Sequence, residues 1–450
     1  YTFLVTVTLM GIATAGIGLI PSAETIGIAA PIIVILFRIL QGLALGGEYG
    51  GAAIYVSEHS PPEKRGYYTS FIQASVVGGF VLSIAVVLLC RYLIPADEFA
   101  AWGWRIPFLL SLILLVISLW MRFMLSESPV FQAMKAAGKT SKNPFVESMT
   151  YPGNGKRIFV AMFGITAGLT TIWYTAFFSS LSFLKGPMRI DDTTTEILIG
   201  IAGFLSMGFY LIVGKWSDRV GRKKPIIWGN ILILITLFPA FWMMGNLANP
   251  ALSNASEIAP VTVSGPNCTY DPFTDQQETK CGRLIEDLTA NGIPYDLAES
   301  EALRLKAGSD ELSLDGYKWN AAADRRAQLQ LLLSSAGYDF SEQHPPVLRM
   351  IGIVAILLFL GLLSAMNYGS VAALLSEMFP AKIRYSSMSI PYHFGAGYFG
   401  GFLPLIAGYI VARTGDAYSG LWYTWGFVFI ALIVAWWGIP DDPEAALDEA

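Results

Sequence analysis

The sequence predicts an all-α polytopic membrane protein made of two similar helical halves. Three observations carry that expectation. Of the 450 residues, 54% are hydrophobic and only 14% are charged, against about 25% charged in soluble domains. Apolar runs long enough to cross a hydrocarbon core of about 30 Å recur along the chain. The stretch at 48–70, EYGGAAIYVSEHSPPEKRGYYTS, returns 319 positions later at 367–389 as NYGSVAALLSEMFPAKIRYSSMS.

Ten apolar spans are expected, at 1–20, 30–57, 66–94, 104–124, 157–184, 194–213, 225–246, 347–376, 385–413 and 420–438. Each should be a helix, because backbone exposed to lipid must satisfy its own hydrogen bonds. The alternating segments of about 10 residues that build a β-barrel are absent. The net charge of −5 says little about partners, since the charges are segregated by region. The chain opens at Tyr1 and enters an apolar span at once, which reads as a chain lacking its natural N-terminus.

Lys and Arg gather on alternate connections: Lys64 and Arg65; Arg122, Lys135, Lys139, Lys142, Lys156 and Arg157; Lys215, Arg219, Arg222, Lys223 and Lys224; Lys382 and Arg384. That places these connections, and both ends of the chain, on the cytoplasmic side of a cell membrane. The polar, acidic segment 247–346 then lies outside. It carries Cys268 and Cys281, which an oxidising compartment would let pair; Cys90, inside a span, is expected only to pack. The tripeptides NAS and NCT match a glycosylation acceptor that matters only in a eukaryotic secretory pathway.

In the duplicated stretch, eight of 23 positions are identical: Tyr49/Tyr368, Gly50/Gly369, Ala53/Ala372, Ser57/Ser376, Glu58/Glu377, Pro61/Pro380, Arg65/Arg384 and Ser70/Ser389. Average composition gives about two. The register continues through Gly78/Gly397 and Phe80/Phe399. This is a parallel internal duplication, the arrangement of transporter halves related by an axis along the membrane normal. The second half has six spans and the first has four, so two helices are expected before Tyr1, and twelve in the whole.

GKWSDRVGRKKP, at 214–225, joins two spans. Gly214 and Gly221 permit a tight turn and close helix approach. Asp218 can face a neighbouring helix N-terminus, and Arg219, Arg222 and Lys223 can reach acidic groups. The pattern resembles the signature loop of the major facilitator superfamily, in its second copy. RILQGLALGGEYGGA resembles that family's fourth-helix motif. WGWRIPFLLS, SESPVF (126–131) and SEMFPAKIRYS are similar to the metabolite:proton symporter group, of the sugar-and-other-transporter type. The resemblance implies the major facilitator fold, with ten of its twelve helices in this chain. It implies 1–124 and 157–246 with 347–438 as two bundles, 125–156 as a central cytoplasmic loop, 247–346 as an extracytoplasmic insertion and 439–450 as a cytoplasmic tail. It also implies proton-coupled symport of a small organic acid or zwitterion, and a role in proton coupling for Arg38.

Glu48 lies about 15 Å from the cytoplasmic end of its helix. A carboxyl at that depth is costly unless protonated or paired, which makes it the expected proton carrier. Its repeat partner Asn367 is expected to face it across the axis and, with Tyr368, to bind substrate. Gln73 and its repeat partner Tyr392, with His393, Trp173 and Tyr174, are further substrate candidates near mid-depth; Arg105, at an outer edge, could attract anions. Gly42, Gly46 and Gly50 should pack helices closely. Glu58, Arg65, Glu377 and Arg384 are expected to make state-dependent ion pairs with the 214 loop and hold the inner gate shut. No enzyme motif, metal cluster or nucleic-acid-binding feature is read; the expected partners are a small solute and the bilayer, with the proton as the coupling ion and no cofactor, and the protein is expected to be monomeric. Two rivals remain: an uncoupled facilitator or exporter, and a receptor or sensor using 247–346.

Overall fold

The computed structural model describes residues 2–124, 143–271 and 276–442, with 132, 135–137 and 274 between them. The 126–131 motif, Lys139, Lys142, the Arg122 side chain and the tail from 443 onward lie outside the described residues.

The N-terminal half holds α1 (Thr2–Leu19), α2 (Ala29–His59), α3 (Arg65–Leu93) and α4 (Arg105–Met124). The C-terminal half holds α5 (Asn154–Lys185), α6 (Asp192–Val220) and α7 (Lys223–Ala248). After an outer domain with α8 (Pro250–Ile258), α9 (Lys280–Ala290) and α10 (Ala322–Ser334), it resumes with α11 (Val347–Met378), α12 (Arg384–Thr414) and α13 (Leu421–Gly438). Among the described residues, eight helices are long and apolar enough to cross a membrane; the bent pair 96–103 and 105–121 brings the number to nine. The remaining expected span appears as a shorter apolar helix, Leu4–Leu19. α1 packs on α2 and α4, while α3 leaves its own half to lie along α6.

Most span edges fall within a few residues of the expected ones. The largest difference is α6, which continues to Val220 rather than stopping near 213. The first half of the signature loop is therefore helix. Gly221 ends it with φ of 90°, a conformation that favours glycine, and donates to the Ser217 carbonyl. α11 is interrupted at Gly369 and Ser370, where its repeat partner α2 is continuous.

Residues 247–346 form a small α/β domain. Its strands β1 (Val261–Ser264), β2 (Tyr295–Ala298), β3 (Arg304–Ala307) and β4 (Asp310–Leu312) lie in the order β2-β1-β3-β4, with β1 and β2 parallel. Val263 and Leu305 pair across β1 and β3 and are fully buried, over Leu284, Leu288, Leu329 and Leu333 of the helices. Cys268 and Cys281 are disulfide-bonded beside the start of α9. Asp287, fully buried, accepts from Arg325 Nε at 2.8 Å and from the Tyr317 hydroxyl at 3.2 Å.

The outer domain docks on the C-terminal half. Arg189, between α5 and α6, donates to the Phe340 carbonyl at 2.9 Å and to Asn291 Oδ1 at 2.7 Å. The Tyr295 hydroxyl donates to the Ala412 carbonyl at 3.1 Å. Asp191 caps α6 through the Thr194 amide at 2.8 Å and meets His344 at 3.2 Å. The carboxyls of Asp339 and Asp191 both sit below the usual carboxylate range. The Ser341 hydroxyl and amide hold Asp339 down. For Asp191, partial burial pushes the other way and is outweighed by Thr194 and then His344.

A depressed carboxylate contributes stability above its unfolded pKa, near 4, and loses it as pH falls through the lower folded value. Hydrogen-exchange protection of 189–194 and 339–344 is therefore expected to be flat from about pH 7 to 5 and to fall below about pH 4. Loss of protection already near pH 6 would contradict these assignments.

Candidate functional site

The two halves meet most tightly at the end carrying Arg65, Arg222 and Arg384, called here the basic end. Asp218, in the last turns of α6, reaches the first turn of α3 and accepts from the Gly66 amide at 2.8 Å and the Tyr67 amide at 2.9 Å. One half thus caps a helix of the other, where unpaired N–H groups and the helix dipole favour a carboxylate. The approach requires glycine at Gly214: a Cβ there would fall 2.6 Å from the Gly66 carbonyl.

Arg222 comes just after the turn and joins two carboxylates. It donates from Nη1 to Asp218 at 2.6 Å, and from Nε and Nη2 to Glu377 at 3.1 and 3.0 Å. Burial works against its charge, but Glu377 and then Asp218 outweigh it and hold the guanidinium pKa above its ordinary value. Arg65 meets Glu377 at 3.4 Å, and Arg384 meets Glu58 at 2.9 Å. The repeat equivalents have exchanged partners: each half's Arg takes the other half's Glu. Between them, the hydroxyls of Ser57 and Ser376, themselves repeat equivalents, hydrogen-bond at 2.6 Å. A pseudo-two-fold axis passes through that bond.

One layer further in, the rings of Tyr49 and Tyr392 stack at 3.6 Å, 5° from parallel, and Gln73 donates to the Tyr49 hydroxyl at 2.8 Å. Tyr368 lies beside Tyr392, and all four side chains are buried. They are two repeat pairs, and they form a floor. His393 stands at its rim, with Nδ1 2.7 Å from the Ser389 carbonyl and Nε2 3.0 Å from the Leu45 carbonyl of the other half. A neutral imidazole has one N–H to donate, so only the imidazolium serves both carbonyls. Below the floor α2 and α12 touch: a Cβ at Gly50 would lie 2.7 Å from Ser389 Oγ. Gly42, Gly46 and Gly397 have nothing within 4 Å of a built Cβ among the described residues. The two halves are thus joined at the basic end.

A family model described as "Sugar (and other) transporter" matches residues 1–150. Over 295 residues the chain is 35% identical to the inner membrane metabolite transport protein YhjE of Escherichia coli, covering 64% of this chain and 63% of that protein. Over 249 residues it is 34% identical to the proline/betaine transporter of Salmonella typhimurium, covering 54% and 50%. Two solved structures, a double-tryptophan variant of XylE and the major facilitator superfamily proton:xylose symporter XylE bound to 6-bromo-6-deoxy-D-glucose, each cover 99% of the chain. Their TM-scores are 0.58 and 0.54, each at 17% identity, and they are themselves covered to 81% and 82%.

The fold is that of these two structures, and residues 1–150 resemble the sugar (and other) transporter family. The chain spans 63% and 50% of the lengths of the two curated relatives.

Several expected site residues lie away from the ion-pair network and the floor. Glu48 is half-buried, with no hydrogen bond or ion pair among the described residues. Asn367 does not face it. It is 1% exposed and lies inside the C-terminal half, where a Cβ at Gly229 of α7 would come within 2.6 Å of its Nδ2. The repeat fixes depth, but a neighbouring glycine drew this amide into the bundle. Arg38 is exposed and donates to Gln41 at 3.3 Å. Arg105 is engaged, donating to the Ile20 carbonyl at 2.9 Å with its guanidinium over the Trp104 ring. Gly42 and Gly46 are not in the close packing expected of them. Lys223 pairs with Asp441 at 3.5 Å, and Arg219 is exposed. Trp173 and Tyr174 are half-buried on α5. Among the described residues no group of three His, Cys, Asp or Glu side chains could hold a metal ion.

A second inter-half tie escaped sequence reading. At the far end of α3, Arg91 meets Glu196 of α6 at 3.2 Å, and Lys185 meets the same carboxylate at 2.7 Å. The only trace in the sequence is an isolated charge at a span edge, which reads as an interface anchor. The two ties differ in strength. The side chains of Arg222, Asp218 and Glu377 are 9%, 7% and 7% exposed, so removing one partner costs about 3–5 kcal/mol. Arg91 is 35% exposed, so its pair contributes about 1 kcal/mol or less.

Glu377→Ala is therefore expected to open the basic end. In a Cys90→Ala background, thiol labelling of a cysteine replacing buried Ala53 should rise by about two orders of magnitude. Unchanged labelling would mean that the network does not hold that end closed. Glu196→Gln should act on the other end. A cysteine replacing Ile84, which faces Gly200 across the α3–α6 contact, is expected to label no more than about fivefold faster. An effect as large as that of Glu377→Ala would contradict the ranking.

Proposed function

We propose that the protein is a secondary transporter working by alternating access, with proton-coupled symport of a small organic acid or zwitterion. The observation that supports this best is the exchanged ion-pair network between the halves on the pseudo-two-fold axis. Such a lock is needed only if the halves separate at that end during a cycle. The relatives' names, metabolite transport and proline/betaine transport, agree with a small polar solute.

In this reading residues 1–124 supply four of six helices of one bundle, and 157–246 with 347–438 supply six of the other, ten of twelve in all. The basic end, with the loop 125–156 and the tail 439–450, is cytoplasmic, and the 247–346 domain lies outside. The protein sits in a cell membrane as a monomer. Glu48 carries the proton: it is half-buried, at mid-depth, and its carboxylate has no partner among the described residues. His393 bridges α12 to the Leu45 carbonyl, one turn from Glu48. Tyr49, Gln73, Tyr368 and Tyr392 close the floor, and Trp173 and Tyr174 face the substrate. Arg38 lies on the Glu48 helix and completes the coupling pair.

Glu48→Gln in the full-length protein is expected to abolish proton-driven accumulation in proteoliposomes while leaving solute exchange intact. Uphill uptake that continues unchanged in that variant rules out Glu48 as the carrier. Solute flux with no accompanying proton movement in the unmodified protein points to an uncoupled facilitator.

A further inference from the structure

The His393 imidazole is held from two sides. Its Nδ1 lies 2.7 Å from the Ser389 carbonyl, one turn back on α12, and its Nε2 lies 3.0 Å from the Leu45 carbonyl on α2. Carbonyl oxygens only accept, so each contact needs an N–H on the ring, and a neutral imidazole carries one. The bond to Ser389 is internal to α12 and does not depend on where the halves stand. It fixes the ring and aims Nε2 at α2, since the bond on one ring nitrogen sets the role of the other. Without its proton, Nε2 would turn a lone pair toward the Leu45 oxygen. The contact between halves is therefore the one that the second proton maintains.

The turn carrying His393 is anchored to its own half. α5 is π-helical over Val160–Thr166 and Thr175–Ser179. From it Thr166 donates to the Pro391 carbonyl at 2.9 Å and Thr170 to the Gly395 carbonyl at 3.1 Å, two residues to either side of His393. α12 then enters a π turn of its own, Gly395–Gly400. Such turns concentrate at functional sites. The imidazole thus reaches from a held turn of one half to the backbone of the other.

Few titratable groups surround it among the described residues. α2 brings Glu48, one turn beyond Leu45, and Tyr49. α12 brings Tyr385 and Tyr392, the latter with its ring 5.5 Å from the imidazole. α5 brings Tyr174, which sits against Gly400. The helix Pro144–Thr150, packed on the start of α12, brings Glu147, which pairs with Lys382 at 2.9 Å. Of these, Glu48 is the rival for a proton.

We propose that His393 is a proton-operated latch between the halves: its imidazolium holds α12 to α2, and loss of the Nε2 proton to water frees them. It is a second proton site, distinct from Glu48. The proposal rests on the alternating-access reading and adds a regulation of the joined end. Opening is read in the full-length Cys90→Ala protein by thiol labelling of a cysteine replacing Ala53. Each rate is divided by that in His393→Gln, which keeps one N–H donor and cannot titrate; the division cancels the thiol's own ionisation. The quotient is expected to be about one-tenth near pH 6 and about one near pH 8.5. A quotient that stays level with pH overturns the latch. So does one whose slope disappears in Glu48→Gln, which would assign the proton to Glu48. Nitrogen NMR of the histidine-labelled protein gives the reciprocal measurement. The second His393 ring proton should be lost at lower pH in Glu377→Ala, where the joined end opens, than in the unmodified protein; identical titrations overturn the proposal. Proteoliposome uptake separates it from the reading beneath it. Proton-coupled uptake with a level quotient removes the latch and leaves the transporter. A sloping quotient in a protein that moves no solute removes the transporter and leaves the latch.

Discussion

The architecture depends on one buried guanidinium. Arg222 is charged and almost buried, which is costly unless both Asp218 and Glu377 pair with it, and each carboxylate commits a different part of the molecule. Asp218 is tied to the first turn of α3, so the signature turn of one half holds a helix of the other. Glu377 brings in Arg65 from that same half. A short polar turn between two apolar helices therefore decides whether the halves touch. The two glycines of the turn serve this directly, Gly214 by permitting contact with Gly66 and Gly221 by ending the helix so that Arg222 points back to Asp218.

Duplication explains why the lock is crosswise. Two copies of a Glu–Arg pair around a pseudo-two-fold axis can pair within each copy or exchange. Exchange makes each bond an inter-half bond. The Ser57–Ser376 contact, at a separation equal to the repeat offset, marks where the axis runs. The Tyr49, Gln73, Tyr368 and Tyr392 floor is the next layer on that axis. Symmetry stops above it. Glu48 remains half-buried and unpaired among the described residues, while its equivalent Asn367 is enclosed. The two halves of the repeat thus share the crosswise ion pairs and differ in the polar groups they hold at mid-depth.

Features were legible in the sequence where a physical signal survives in one dimension. The spans were legible because each is a long apolar run, and the duplication because identity survives in the turns. The exchange of partners was not legible: an alignment states which residues correspond, not which ones touch. The Asn367 expectation failed for the same reason, since depth along a helix is read by counting while rotation depends on neighbours such as Gly229. The π turns of α5 leave no period to detect, so Trp173 and Tyr174 could be placed in depth but not joined to Phe80 of α3, 6.2 Å from Trp173. The strands of the outer domain are only three or four residues long, too short for alternation to stand out. Arg91 and Glu196 are single charges at span edges, and nothing in the chain pairs them.

The inequality of the two inter-half ties has a mechanistic consequence. A tie of several kcal/mol at the basic end and about 1 kcal/mol at the other biases the empty protein toward closure at the basic end. A ligand shifts such an equilibrium only by its difference in affinity between the states. Contacts confined to one half move with that half and contribute nothing to the difference. Contacts shared between halves do contribute, and the hydrogen bond of His393 to the Leu45 carbonyl, which joins α12 to α2, is of this kind.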